Sequence, residues 1–136
     1  MKVFVLDSSA VLRFIDNEAG ADRVREILQA LVNGSAGVCI SAVQWGEVAG
    51  NLRSRLGPRQ ESRILSSLLP REAEIIPASA ERAAHAAELR IDHKISYADA
   101  FAFQLALDSP DHVLVTADHD FQPMAYLANV EFLPEK

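Results

Sequence analysis

The stretch that decides the fold is Met1-Lys2-Val3-Phe4-Val5-Leu6-Asp7-Ser8-Ser9, at the start of the chain. Its four consecutive apolar residues, Val3 to Leu6, predict a short strand that is buried on both faces. The run ends at a carboxylate and two hydroxyls, with no Gly or Pro to form an ordinary turn. Open α/β sheets hold their ligand crevices at the carboxyl ends of the strands, where Asp7 would lie. An aspartate after a strand also commonly caps the next helix, so Asp7 alone does not define a site.

The overall composition is that of a globular protein, since 49% of the 136 residues are apolar and 24% are charged. We expect one domain over residues 1–136, large enough to form a core without disulfides. No apolar run approaches the ~20 residues that span a bilayer, and the first strand begins directly at the N-terminus. We therefore expect no signal peptide, no membrane association and a cytoplasmic location, which the single Cys39 in an apolar run also favours.

Hydrophobic periodicity predicts strands that alternate with one or two helices. The predicted strands are Val3–Leu6, Gly37–Ile40, Glu74–Ile76, Val113–Thr116 and Val130–Leu133. Helices are predicted from a Ser8-Ser9 cap to Ile15, from about Ala19 to Val32, from Ser41 to near Gly57, from about Arg59 to Leu69, from near Ser79 to His93, over Tyr97–Leu107 and after Asp118. Ser41 and Gln44 predict a capping box at the third helix. Such alternation implies right-handed crossovers, a mostly parallel sheet and a three-layer α/β/α fold.

Four acidic residues are predicted to meet at one edge of this sheet. Asp7 ends the first strand and Asp118 follows the fourth, while Glu47 and Asp99 lie near the starts of two helices. Each acid also has an ordinary explanation: Asp99 would complement a helix dipole, Asp118 would cap a short helix, and Glu47 would face water. Glu47 and Asp99 have apolar neighbours, however, and buried carboxylates are costly unless they are paired or bound to metal. This environment favours a shared site.

The negative charge of such a cluster requires compensation. Two carboxylates about 5 Å apart repel by about 3 kcal/mol at an effective dielectric constant of about 20. The six pairs among four carboxylates would cost about 20 kcal/mol, more than the ~5–15 kcal/mol stability of a typical domain. The cluster must therefore be partly protonated or hold cations. Oxygen-only ligands favour Mg²⁺ or Mn²⁺, which activates water and binds phosphate for phosphodiester hydrolysis.

Other catalytic apparatus is missing from the sequence. There is no GxGxxG, GxxxxGK[ST] or GxSxG motif for a dinucleotide, a nucleoside triphosphate or an acyl intermediate. A zinc site would need two or three grouped His or Cys ligands, and the four histidines are scattered along the chain. These absences leave the carboxylates as the candidate chemistry.

Positive charge is concentrated in one segment of a chain whose net charge is −6. That net charge argues against a simple basic nucleic-acid-binding protein. Between residues 51 and 71, however, Glu61 is the single acid among five arginines, which are Arg53, Arg55, Arg59, Arg63 and Arg71. Two explanations stay open for these arginines: a solvated helix face, or contacts to the phosphates of RNA.

Four segments carry the acids in a characteristic order. They are Val5-Leu6-Asp7-Ser8-Ser9, Ser41-Ala42-Val43 leading to Glu47, Ile95-Ser96-Tyr97-Ala98-Asp99-Ala100, and Leu114-Val115-Thr116-Ala117-Asp118-His119-Asp120-Phe121. With them the whole chain resembles PIN-domain ribonucleases, in particular the VapC-type toxins of bacterial toxin–antitoxin pairs. By this resemblance the family's four acids and metal ligands are Asp7, Glu47, Asp99 and Asp118, helped by the hydroxyl of Ser9 or Thr116, with Asp120 as a second candidate in the last motif. The chain departs from the family at Lys94, where many relatives have Gly.

The resemblance implies strand order 3-2-1-4-5, with strands one and four flanking the crevice. It also implies a Mg²⁺- or Mn²⁺-dependent endoribonuclease with one or two metal ions, silenced by a cognate antitoxin and usually dimeric. Arg53, Arg55, Arg59 and Arg63 would then line the approach of the RNA. Two alternatives stay open: an inactive PIN-like module that binds RNA or protein, and a PIN nuclease that matures RNA or acts on DNA. The complete set of four acids argues against the first.

Overall fold

Five strands form one sheet in the computed structural model, which describes residues 1–136. The strands are β1 (Val3–Leu6), β2 (Gly37–Ser41), β3 (Glu74–Ile76), β4 (His112–Thr116) and β5 (Asn129–Phe132). Their order is β3-β2-β1-β4-β5, and every neighbouring pair is parallel. The predicted strand order is therefore confirmed, and the sheet is parallel throughout.

Helices cover both faces of the sheet. They are α1 (Ser8–Ile15), α2 (Ala21–Val32), α3 (Ala42–Leu56), α4 (Pro58–Ser67), α5 (Ala80–His93) and α6 (Tyr97–Leu107), followed by a 3₁₀ segment (His119–Leu127). One apolar cluster joins residues of α1, α2 and α3 to one face of the sheet, and a second joins α5 and α6 to the other face. This arrangement confirms the three-layer α/β/α fold. None of the helices has the length and apolar character needed to traverse a lipid bilayer.

β1 lies at the centre of the sheet because its apolar residues can be covered from both sides. Val5 pairs with Cys39 of β2 on one side and with Leu114 of β4 on the other, and Val5 and Leu6 are fully buried. From β1 the chain builds outward to β2 and β3, and it then returns to add β4 and β5 on the opposite side. The carboxyl ends of β1 and β4 therefore lie side by side where the strand order reverses, the usual place for a ligand crevice.

Two local predictions about helix starts are wrong. Asp7, rather than Ser8 or Ser9, caps α1, because its carboxylate accepts the backbone N–H of Ala10. Ser41 caps α3 as expected, but the Gln44 side chain does not turn back to complete a capping box. Its amide instead bonds to other segments of the chain. Only the Gln44 result depends on distant contacts, since its partners lie 36 and 54 residues away in the chain.

Candidate active site

The four predicted acids lie on segments that start at the carboxyl edge of the sheet. Asp7 directly follows β1, and Asp118 lies two residues beyond the end of β4. Glu47 lies in the second turn of α3, which follows β2, and Asp99 lies in the first turn of α6. The structure therefore places all four acids on segments at the carboxyl edge of β1 and β4.

Asp7 is the most constrained of the acids. Its side chain is 2% exposed and accepts three hydrogen bonds. Oδ1 accepts the N–H of Ala10 at 2.9 Å and the Ser9 hydroxyl at 2.7 Å, and Oδ2 accepts the Thr116 hydroxyl at 2.5 Å. These three donors fix the orientation of the carboxylate. Asp7 thus acts as a helix cap and also presents a pre-oriented acid at the edge of the sheet.

Ser9 and Thr116 connect Asp7 to the segment that follows β4. The Ser9 hydroxyl accepts the N–H of Ala117 at 2.8 Å, and the Thr116 hydroxyl accepts the N–H of Asp118 at 2.9 Å. The two hydroxyls lie 3.3 Å apart. Both supporting hydroxyls predicted from the resemblance therefore contact Asp7 directly and tie two acid-bearing segments together.

Asp118 and Asp120 belong to one local turn. Asp118 caps the 3₁₀ segment, and its Oδ1 accepts the N–H of Asp120 at 2.9 Å. Asp120 is exposed, whereas Asp118 is half-buried. Asp118 thus has the capping role that is its ordinary explanation, and its backbone N–H is bonded to the same Thr116 hydroxyl that contacts Asp7.

Glu47 differs from expectation because it is exposed rather than buried among apolar neighbours. The adjacent Val48 is fully buried in the core. Since successive residues of a helix point in different directions, Glu47 faces solvent at the rim of the site. The Ser8 hydroxyl donates to its Oε1 at 3.0 Å and holds it toward the start of α1.

The electrostatics of Asp7 and Asp99 indicate a shared site. The pKa of each is raised from its ordinary value to about 6. Burial is the main cause for both, and it outweighs the hydrogen bonds that favour the ionised forms. The charge of Asp99 further raises the pKa of Asp7, and the charges of Asp118, Glu47 and Asp120 raise the pKa of Asp99, in that order. Asp99 therefore lies within electrostatic reach of Asp7, Asp118, Glu47 and Asp120.

The side chains of the site offer the oxygen ligands that a hard divalent cation prefers, but they do not surround a single metal position. Every candidate ligand is a carboxylate or hydroxyl oxygen, the donor type that Mg²⁺ and Mn²⁺ prefer. The pKa values of Asp7 and Asp99 are raised mainly by burial and in part by neighbouring carboxylates, and a bound cation would favour the ionised form of both acids. However, no three Asp, Glu, His or Cys side chains form a group that could hold a metal ion. The acids lie along one edge and are more open than the tight cluster assumed from the sequence.

The four arginines predicted to contact RNA lie on the last turn of α3 and on α4, and all are exposed. Arg53 pairs with Glu61 at 3.2 Å, and Arg55 pairs with Asp16 at 3.2 Å. Arg59 and Arg63 have no ion pair. Arg55 and Ser9 line the same surface recess, which has a volume of about 630 Å³ and connects this basic segment with the site. Of these four arginines, Arg59 and Arg63 are therefore the two whose side chains form no ion pair.

Sequence reasoning missed one residue of the site. Gln44 is fully buried, and its amide connects the first turns of α1 and α6. Its position three residues after Ser41 pointed to a helix cap. A polar residue of this length among apolar neighbours was the available signal, but its partners are 36 and 54 residues away in the chain.

A family model identifies the protein family to which this fold belongs. The family model for the PIN domain matches residues 4–126. The chain belongs to the PIN-domain family. Among curated proteins, no sequence matches it.

Solved structures resemble this PIN domain over nearly its full length. VapBC2 from Rickettsia felis, bound to a promoter DNA fragment, has 17% identity and a TM-score of 0.74, over 97% of this chain and 99% of that chain. VapC20 from Mycobacterium tuberculosis, a toxin that cleaves the sarcin-ricin loop, has 20% identity and a TM-score of 0.72, over 98% of this chain and 100% of that chain. A toxin–antitoxin complex from Klebsiella pneumoniae has 24% identity and a TM-score of 0.61, over 89% of this chain and 90% of that chain. At these identities the likeness shows the fold.

Proposed function

We propose that this PIN domain is a Mg²⁺- or Mn²⁺-dependent endoribonuclease that acts as the toxin of a toxin–antitoxin pair. The observation that carries the proposal is the convergence of carboxylates on Asp99: the charges of Asp118, Glu47 and Asp120 raise its pKa, and the charge of Asp99 raises that of Asp7, in addition to the effect of burial. Membership of the PIN family and the similarity to the sarcin-ricin-loop-cleaving toxin support RNA as the substrate.

The metal would be held by Asp7, Asp99 and Asp118, with Glu47 at the rim of the site. When bound, such an ion supplies positive charge to the scissile phosphate and lowers the pKa of a water molecule. The chain's own contribution is orientation. Ser9, Thr116 and the N–H of Ala10 hold Asp7 in one position, so its carboxylate need not reorganise when substrate binds.

Substrate approach is assigned to the arginine segment of α3 and α4. Phosphates of RNA would contact Arg59 and Arg63, which lack ion pairs. Arg55 would exchange its pairing with Asp16 for a phosphate in the recess that leads to Ser9. A negatively charged domain can bind RNA in this way because its positive charge is concentrated on one side.

The proposed partner is an antitoxin that places an Arg or Lys side chain among the acids. A guanidinium pairs well with carboxylates and would compete with the metal. An apolar segment of the same partner would bind nearby, and the half-buried Trp45, Leu12 and Phe14 are candidate contacts for it. Phe14 lines an apolar recess of about 570 Å³ with Ile15, Ile64 and Leu68, whereas Leu12 lines the polar recess beside Ser9. The recess of Phe14 is therefore the better place for the apolar segment.

The nuclease proposal is tested with purified protein on a panel of stem-loop and single-stranded RNAs, with DNA copies of the same sequences. We expect cleavage of RNA with Mg²⁺ or Mn²⁺, none in excess chelator, and loss of cleavage in Asp99→Asn. Asp92→Asn, an exposed aspartate of α5, is the matched control and should cleave normally. Cleavage that persists in chelator would contradict the metal mechanism. Preference for the DNA copies would support a DNA nuclease instead.

A further inference from the structure

A fully buried glutamine lies between the acid-bearing segments. Gln44 is in the first turn of α3, three residues before Glu47, and its side chain is 0% exposed. Its Oε1 accepts the backbone N–H of Ser8 at 2.7 Å, and its Nε2 donates to the backbone carbonyl of Ala98 at 2.6 Å. Both hydrogen bonds join Gln44 to other helices, so the amide bridges the starts of α1, α3 and α6.

The partners of Gln44 are the immediate neighbours of the acids. Ser8 follows Asp7 in the chain, and Ala98 precedes Asp99. Ser8 also donates its hydroxyl to Glu47, so the same short segment of α1 contacts Gln44 through its backbone and Glu47 through its side chain. A single amide thus connects the backbone beside Asp7 with the backbone beside Asp99.

The two contacts require an amide of this length. The N–H of Ser8 needs an acceptor and the carbonyl of Ala98 needs a donor, and a side-chain amide supplies one of each. An ionised Glu would offer only acceptors, Met offers no strong donor or acceptor, and Asn is one methylene shorter. The orientation of the Gln44 amide is therefore fixed by its partners.

We propose that Gln44 is a positioning residue of the candidate nuclease centre, fixing the backbone beside Asp7 relative to the backbone beside Asp99. The inference rests on the proposed metal-dependent cleavage. It explains how acids that are not joined by any direct hydrogen bond are held around one point. Asp7 and Asp118 are linked through Thr116, whereas Asp99 reaches Asp7 through the Gln44 bridge.

The chain contains a matched control in Gln104. This glutamine is also buried, at 2% exposure, and also makes two hydrogen bonds between helices. Its Oε1 accepts from the Arg82 guanidinium at 3.3 Å, and its Nε2 donates to the Arg82 carbonyl at 3.0 Å. Those contacts join α5 to α6 without touching the residues next to Asp7, Glu47, Asp99 or Asp118. Loss of a buried amide should therefore lower the stability of both variants. Loss of positioning should lower kcat and Mn²⁺ affinity only when Gln44 is replaced.

The test compares Gln44→Met with Gln104→Met in three measurements: urea unfolding, kinetics of RNA cleavage, and Mn²⁺ binding by titration calorimetry without RNA. Met keeps the length of the side chain and removes both hydrogen bonds. For Gln44→Met we expect kcat to fall by about tenfold or more with an unchanged KM, and Mn²⁺ affinity to fall by about tenfold, as for other residues that orient metal ligands. Gln104→Met should stay within about twofold of wild type in both.

Equal effects of the two substitutions, or wild-type kcat and Mn²⁺ affinity in folded Gln44→Met, would overturn the inference. If Gln44→Met does not fold, Gln44→Glu replaces it, because its shape is unchanged and it keeps an acceptor for Ser8. Wild-type behaviour of that variant, or its failure to fold as well, would also overturn a positioning role. A wild-type protein that binds Mn²⁺ but cleaves no RNA would refute the proposed function, while the binding arm would still test Gln44.

Discussion

Asp7 has two roles that place opposite demands on its protonation. As a helix cap and the acceptor of two hydroxyls it is favoured in its ionised form. Burial at the end of β1 favours the neutral form and is the stronger influence, since the pKa is raised to about 6. At neutral pH the native protein therefore holds an ionised, desolvated carboxylate at a cost in stability. Such a cost is typical of residues that are placed for function.

Replacing Asp7 with Asn should stabilise the protein. Native Asp7 binds its proton more tightly than the unfolded chain does, so the stability of the wild type should be highest below about pH 4 and should fall as the pH rises to about 6. The substitution should remove the contribution of Asp7 to this dependence, leaving that of Asp99, and should raise the free energy of unfolding at pH 7 by up to about 3 kcal/mol. Urea unfolding at pH 4, 5, 6 and 7 measures both effects, and Asp92→Asn should behave as the wild type. Equal pH profiles for wild type and Asp7→Asn would contradict this account.

Lys94, at which the sequence departs from the family that it resembles, has an unusual backbone conformation. It ends α5 with φ 57° and ψ 39°, in the left-handed region, and its N–H donates to the carbonyl of Arg90. Glycine adopts this conformation without steric cost, and it is the usual residue at the end of a helix. The left-handed turn that ends α5 is therefore formed here by a lysine, with strain in its backbone.

Replacing Lys94 with Gly should relieve this strain. The left-handed conformation costs a residue with a Cβ about 1–2 kcal/mol, and the added flexibility of the unfolded chain offsets about 0.4–1 kcal/mol of the gain. We expect a net stabilisation of about 0.5–1 kcal/mol, measured by urea unfolding. Lys94→Ala keeps the Cβ and is the control, for which no gain is expected. Equal stability of the Gly and Ala variants would show that the backbone at this position is not strained.

At the level of elements, α3 and α4 form one unit that carries both an acid and the basic segment. Glu47 lies near the start of α3, Arg55 lies in its last turn, and α4 follows directly after Gly57. The arginines therefore continue away from the site along one side of the molecule. Their number was visible in the sequence, but their pairing with Glu61 and Asp16 was not, because the partners belong to different helices.

Removal of the free arginines should weaken RNA binding and reduce its salt dependence. Arg59→Ala with Arg63→Ala should lower the slope of log K against log salt by about 0.7 for each phosphate contact that is lost. Fluorescence anisotropy at several salt concentrations, with a chelator present to prevent cleavage, measures this slope. Arg90→Ala is the control, since Arg90 is exposed on α5 at the other face of the sheet. An equal effect of Arg90→Ala would assign Arg59 and Arg63 to a solvated helix face.

Features set by local sequence or by strand topology could be predicted, whereas features set by contacts between distant helices could not. α6 was predicted to be buried nearly all round, and its residues from Ala100 to Ala106 are all buried. The predicted start of α2 at Ala19 was two residues early, because the helix begins after Gly20. Acids at strand ends could be located because parallel topology brings those ends together. The Gln44 bridge and the exposure of Glu47 could not be predicted, because both depend on how α1, α3 and α6 pack against one another.

For the whole molecule, the central question is control of the proposed nuclease. Expression of the wild-type gene alone should arrest growth, whereas the Asp7→Asn gene should be tolerated. A cognate antitoxin, encoded in a short neighbouring reading frame, should restore growth and co-purify with the protein. Light scattering of the purified Asp7→Asn protein tests the expected homodimer. Normal growth with abundant, folded wild-type protein and no inhibitory partner would refute the toxin role even if the protein cleaves RNA in vitro.

The position of β1 in the sheet has a consequence for biosynthesis. β1 is the first strand to be translated, yet its partner β4 supplies the Thr116 hydroxyl that binds Asp7 across 109 residues of chain. Pairing over such a distance requires closure of a long loop and is slow. A nascent or prematurely terminated chain that ends before β4 therefore contains Asp7, Glu47 and Asp99 but lacks both Thr116 and Asp118. Incomplete translation products of this gene should accordingly lack the proposed nuclease activity.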